Sequence, residues 1–112
     1  MSAEEEHPFS ATCRPDFLNE LKRLMAKNQA LVFSTTYCGY CTKAKKLLKQ
    51  QEVPYQEIMI DELVAQDAEA LSDCLYAKSE RRTVPIIYMH NKRVGGYGEL
   101  LQMQKNDTLK PL

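Results

Sequence analysis

A Cys-x-x-Cys pair set at a strand-to-helix junction limits this chain more than any other feature it carries. Cys38-Gly39-Tyr40-Cys41 stands where an apolar run, Leu31-Val32-Phe33, gives way to a lysine-rich helical pattern. A sulfur in the first turn of a helix faces backbone N–H groups that have no intrahelical acceptor, so its thiolate is stabilised by hydrogen bonds and by the helix dipole. The dipole contributes roughly 0.3–1 kcal/mol at an exposed site and about 2 kcal/mol when partly buried. That lowers the Cys38 thiol below its ordinary value, and direct N–H to sulfur bonds must supply the rest of an activated thiol's acidity. Lys43, Lys45 and Lys46 add a smaller, screened contribution. Cys41 lies one helical turn on, on the same face and within bridging distance. Cys38 is therefore the expected attacking thiol and Cys41 the resolving one.

The competing use of such a pair is half of a zinc site, which needs two further ligands at suitable spacing. Cys13 and Cys74 are isolated in the sequence, and His7 and His90 form no pair with them. The expectation is thiol-disulfide chemistry with no metal site.

At 112 residues the chain is long enough for one domain with a self-sufficient core. Fifteen basic residues balance fifteen acidic ones, which leaves no electrostatic footprint for nucleic acid. The apolar runs are too short to span a bilayer. Residues 2–13 carry Glu4-Glu5-Glu6 and neither the basic nor the apolar pattern of a targeting peptide. A cytoplasmic, reducing location is expected, and in that setting a Cys-x-x-Cys motif is more often catalytic than structural.

Residues 1–13 read as a flexible acidic lead-in and 14–112 as the domain proper. Pro15 and Asp16 open a helix whose stripe of Phe17, Leu18, Leu21, Leu24 and Met25 runs to about Asn28. Ala30–Ser34 is a buried strand. Tyr40–Gln51 is a helix with Ala44, Leu47 and Leu48 inward and lysines outward. Tyr55–Ile60 is a second strand, and an acidic turn from Asp61 to Asp67 leads to a helix ending near Lys78. That helix buries Ala70, Leu71, Cys74 and Leu75, so Cys74 reads as a small core residue. Strands Pro85–Met89 and Lys92–Val94 flank a hairpin turn at His90-Asn91. Gly95-Gly96 leads into a last helix, Tyr97–Lys105. This order implies an α/β fold with a four-stranded mixed sheet. Its first two strands are parallel through a right-handed crossover, its last two form a hairpin, and helices cover both faces.

Cys38-Gly39-Tyr40-Cys41, Arg82-Thr83-Val84-Pro85 and Gly95-Gly96-Tyr97 follow one another in the order and spacing of a dithiol glutaredoxin of the thioredoxin fold. Leu71-Ser72-Asp73-Cys74-Leu75-Tyr76 resembles that family's third helix, and the resemblance covers roughly residues 14–107. It implies that Thr83-Val84-Pro85 is a cis-proline loop, in which the residue before proline pairs its backbone with the cysteinyl part of glutathione. It also implies that Gly96, Tyr97 and Gly98 receive the γ-glutamyl carboxylate at a helix N-terminus, a ready anion site. Tyr40 then lies over the bound tripeptide, while Tyr37 packs near the strand end. The cosubstrate implied is glutathione or a related low-molecular-weight thiol, and the partners are disulfide-containing proteins.

Two positions depart from the family pattern. Thr35 stands where glutaredoxins usually place a lysine for the glycyl carboxylate, leaving Arg82, or else Arg81, to supply that charge by a bidentate contact. Gly98-Glu99 replaces the common serine or aspartate followed by aspartate, which lengthens by one methylene the carboxylate that meets the glutathione amine. The alternative function implied is a [2Fe-2S] carrier or sensor, a dimer joined through Cys38 and glutathione, because Gly39 is permissive where proline is usual. Without a cluster the chain is expected to be a monomer. A thioredoxin-type general reductase would carry tryptophan beside the cysteines, and this chain has none.

Overall fold

The computed structural model describes residues 8–75 and 84–111. In chain order they form α1 (Pro15–Lys27), β1 (Ala30–Ser34), α2 (Gly39–Gln50), β2 (Tyr55–Met59), a 3-10 turn (Ile60–Glu62), α3 (Ala65–Leu75), β3 (Ile86–Met89), β4 (Lys92–Gly95) and α4 (Tyr97–Lys105). The expected elements are all present. The end of the third helix near Lys78 lies outside the described residues, as do Arg81, Arg82 and Thr83.

The sheet order is β2-β1-β3-β4. β1 pairs in parallel with β2 from Ala30↔Tyr55 to Ser34↔Met59 and antiparallel with β3, where Phe33 meets Ile86. β3 and β4 close as an antiparallel hairpin whose His90 and Asn91 both take positive φ, 54° and 61°. Two left-handed residues suit the right-handed twist of a two-residue hairpin, and His and Asn tolerate them better than branched residues do.

β1 is buried along its whole length, and the alternation of its side chains divides the core in two. Leu31 and Phe33 join Leu21 of α1, Leu71 and Leu75 of α3 and Tyr88. Ala30 and Val32 join Ala44 and Leu48 of α2, Ile87, and Leu100 of α4. Each large side chain buried this way contributes about 1.5–3 kcal/mol of transfer free energy. The result is the expected helix-sheet-helix layering with β1 at its centre.

Three expectations need correction. The lead-in does not stay loose through residue 13. Phe9 and Cys13 are buried, and the Phe9 ring packs 4.7 Å from that of Tyr88. Cys74 is a core residue, as expected, but it is not a lone one, being disulfide-bonded to Cys13 across 61 residues of sequence. Ala70, expected in the core, is only half-buried, because the inward stripe of α3 is narrow and centred on Leu71, Cys74 and Leu75.

Candidate functional site

The carboxyl end of β1 and the start of β3 lie side by side, since Phe33 pairs with Ile86. The loop leaving β1 and the residues entering β3 therefore converge at one end of the sheet. Cys38 closes the first of these. It caps α2 in an extended conformation, and its Sγ accepts the Cys41 N–H at 3.1 Å. The sulfur thus occupies the N-cap position, where an oxygen usually satisfies one of the helix's orphan donors. The Cys38 side of the pair is partly exposed and Cys41 is 2% exposed, and the two are joined as a disulfide with Cα atoms 5.2 Å apart. The outer sulfur is accessible and the inner one is covered.

From the other side comes the second motif. The Val84-Pro85 peptide is cis and Pro85 is buried. The Val84 carbonyl oxygen lies 3.7 Å from Cys38 Sγ. The backbone before the proline is thereby placed against the sulfur. The third motif meets the second: a side chain at Gly96 would approach the Pro85 carbonyl oxygen at 3.5 Å. It also meets the first, since the Tyr40 and Tyr97 rings are 6.1 Å apart. Lys43 Nζ sits 5.2 Å over the Tyr40 ring, which keeps one helix lysine close to the pair.

At the start of α4 the Glu99 carboxylate folds back, and Oε1 accepts the Gly96 N–H at 2.8 Å. This is half of a capping box, since a glycine N-cap has no side chain to return the bond. Gly95 makes room for it. Its φ is +119°, and a β-carbon there would stand 2.9 Å from Glu99 Cγ and Oε1. Of the three residues expected to receive a carboxylate, Gly96 has its N–H engaged by this chain's own Glu99. Tyr97 and Gly98 supply the first-turn N–H groups, and Gly98 has open space around it. Thr35 is half-buried just before the loop. Tyr37, expected near the strand end, is 99% exposed and packs on nothing, because the turn after Thr36 aims it outward.

Sequence reasoning missed one residue of this loop. The Asp61 carboxylate accepts the Thr36 N–H at 2.9 Å, two residues before Cys38. That backbone bond, followed by the Thr36 hydroxyl, holds the Asp61 carboxyl below the usual carboxylate range. No motif announces it, since an acidic residue after a strand is ordinary.

Among the described residues no group of three or more His, Cys, Asp and Glu is arranged to hold a metal ion, and no helix is long and apolar enough to cross a membrane.

A redox-active cysteine pair at a helix N-cap, faced by a cis-proline loop on a β2-β1-β3-β4 sheet, defines a thiol-disulfide protein of thioredoxin fold. Residues 30–94 match the glutaredoxin family model, and the chain belongs to that family. It is 33% identical over 95 residues to chloroplastic glutaredoxin-C4 of Oryza sativa subsp. japonica, covering 85% of this chain and 70% of the relative. The glutaredoxin of Ricinus communis is also 33% identical, with coverage of 85% and 91%. Against human mitochondrial glutaredoxin-2, at 33% identity and 85% of this chain, it spans only 57% of the relative's length. Among solved structures, the buckwheat glutaredoxin-glutathione complex is 34% identical with a TM-score of 0.67, covering 82% of each chain. The dithiolic glutaredoxin 2-C-Grx1 of Trypanosoma brucei brucei gives 0.71 at 27% identity, over 80% of this chain and 90% of that one. Glutaredoxins as a family are glutathione-dependent thiol oxidoreductases.

Proposed function

We propose that this chain reduces glutathione mixed disulfides and protein disulfides, with Cys38 as the attacking thiolate and glutathione or Cys41 as the resolving thiol. The observation that carries this reading is the position of Cys38 Sγ, on the Cys41 N–H and 3.7 Å from the Val84 carbonyl. A thiolate there is stabilised by the helix terminus and lies beside backbone able to align an incoming cysteinyl group.

In the first step the Cys38 thiolate attacks the glutathione sulfur of a mixed disulfide. The substrate thiolate leaves and takes up a proton, and Cys38 is left joined to glutathione. A second glutathione thiolate then attacks the glutathionyl sulfur, forming glutathione disulfide and restoring the Cys38 thiolate. With a protein disulfide, Cys41 resolves the mixed intermediate instead, forming Cys38–Cys41, which two glutathiones reduce in turn.

The complex of the buckwheat relative with glutathione supports the same ligand here. The cysteinyl backbone would pair with Val84 before Pro85, and the γ-glutamyl carboxylate would meet the Tyr97 and Gly98 N–H groups. Glu99 would turn from the Gly96 N–H toward the ligand's ammonium. Arg82 and Thr83 are assigned to the glutathione site by resemblance, and Thr35 leaves the glycyl carboxylate without its usual lysine.

The alternative is a [2Fe-2S] cluster shared by two protomers and two glutathiones, with Cys38 the ligand this chain supplies. Gly39 favours it to the extent that nothing crowds the helix start there. Anaerobic purification with glutathione, followed by an absorption spectrum and a glutathione-coupled disulfide reduction assay, separates the two. Turnover by a colourless protein supports the reductase. Cluster absorbance with no turnover supports the carrier and rejects the reductase.

A further inference from the structure

The second cysteine pair has an environment unlike the first. Cys74 is fully buried and Cys13 is 9% exposed, within the apolar cluster of Phe9, Leu31, Phe33 and Tyr88. The backbone beside the bond is tied as well. The Ser10 N–H donates to the Cys74 carbonyl at 2.8 Å, and the Thr12 hydroxyl donates to the Asp73 carbonyl at 2.9 Å. These bonds tie the lead-in backbone to carbonyls of α3. They also hold residues 10–13 against the helix without help from the sulfurs, so the two thiols meet at high effective concentration.

We propose that Cys13–Cys74 is a second redox site, a latch that a low-molecular-weight disulfide such as glutathione disulfide closes through Cys13 and that reduced glutathione does not reopen in the folded protein. Closing takes two exchanges. The Cys13 thiolate, the more accessible of the two, attacks one sulfur of glutathione disulfide, so that one glutathione leaves as thiolate and the other stays on Cys13. The Cys74 thiolate then attacks the Cys13 sulfur, the latch bond forms and the second glutathione leaves. Two protein thiols are oxidised, one glutathione disulfide is reduced to two glutathiones, and the two thiol protons pass to them. Opening by reduced glutathione runs the second exchange in reverse, so it meets the same barrier of access and desolvation, and the high effective concentration of Cys74 beside the Cys13 sulfur returns it to the closed bond. The Cys38 sulfur of the other pair has no such cover.

The test uses the Cys38→Ser/Cys41→Ser protein, whose remaining cysteines are Cys13 and Cys74. It is reduced in denaturant, refolded, and treated with glutathione disulfide, with alkylation and mass mapping at intervals. The proposal expects a transient single glutathione adduct on Cys13, then loss of both alkylatable thiols. Millimolar reduced glutathione should then leave the native protein closed and open it in denaturant. As a control independent of the double variant's folding, differential alkylation of the unmodified chain follows all four cysteines in the same reduced buffer. There Cys13 and Cys74 should be released at least about tenfold more slowly than Cys38 and Cys41. Thiols that never close, a first adduct on Cys74, or release of both pairs at one rate overturns the latch. None of these outcomes bears on the reductase assay.

Discussion

The two disulfides join the same atoms and differ in almost everything that decides what a disulfide does. Cys38 and Cys41 are three residues apart, so their bond closes a loop too short to matter to the unfolded chain. Cys13 and Cys74 enclose a separation of 61 residues, for which loop-closure entropy is worth about 4 kcal/mol. One pair has its outer sulfur at the surface on a helix N-terminus and facing a carbonyl; the other lies among aromatic and aliphatic side chains. Sulfur chemistry is set by access and by stabilisation of the thiolate, and only the first pair has both. On the proposed reading, the same residue type serves turnover at one end of the sheet and anchorage beneath it.

The largest effect that tests this contrast is on catalysis. Cys38→Ser should bring every disulfide reduction to the uncatalysed rate while leaving the thermal midpoint close to that of the reduced parent. Steady-state assay with melting of the same sample checks both. Activity surviving in this variant would remove the exposed pair from the chemistry.

Next in size is stability. Cys13→Ala should destabilise the fold by about 2–4 kcal/mol while retaining most of the turnover. Urea titration against the oxidised parent measures the first and the glutathione-coupled assay the second. Equal midpoints would mean that the buried bond anchors nothing.

A smaller effect is expected at Thr35. Thr35→Lys should lower the Michaelis constant for glutathione a few-fold, about 0.5–1 kcal/mol for a partly exposed charge pair. The latch thiols should be untouched, which makes alkylation of Cys13 and Cys74 the control.

The smallest concerns Asp61. Its folded carboxyl is held below its ordinary value by the Thr36 N–H, so that contribution is complete above the unfolded carboxylate pKa of about 3.9. It is lost as pH falls through the lower folded value. Amide exchange at Thr36 should therefore quicken on the acid side in the parent protein. Asp61→Asn should flatten that acid-side dependence, and Cys74 should report no change in either.

Much of this architecture could be read in the chain. The unbroken apolar run of β1 predicts a short buried strand, and the lysine-backed stripe of α2 predicts which side of the helix turns inward. His90-Asn91 marks the hairpin because its two residues tolerate positive φ. The three motifs were legible as separate strings, and the fold joins them through Cys38 with Val84, Gly96 with Pro85, and Tyr40 with Tyr97. What escaped the sequence is tertiary. Four cysteines allow three pairings, and no local pattern chooses Cys13 with Cys74. Phe9 sits in a polar stretch, and its burial depends on the Tyr88 ring that only the folded sheet presents to it. Glu99 falls between these cases. A Glu at the third position of a helix is a capping signal, but that it would take the Gly96 N–H in an expected ligand site is a matter of geometry.

Deglutathionylation by Cys41→Ser across a range of pH tests most directly the claim that Cys38 alone attacks. The variant keeps the N-cap sulfur and removes the covered one, so it should still strip glutathione from a mixed disulfide. Its rate should rise with a single ionisation lying below that of an ordinary thiol. An inactive Cys41→Ser protein, or one whose rate follows an unperturbed thiol, contradicts the assignment of Cys38 as the activated nucleophile.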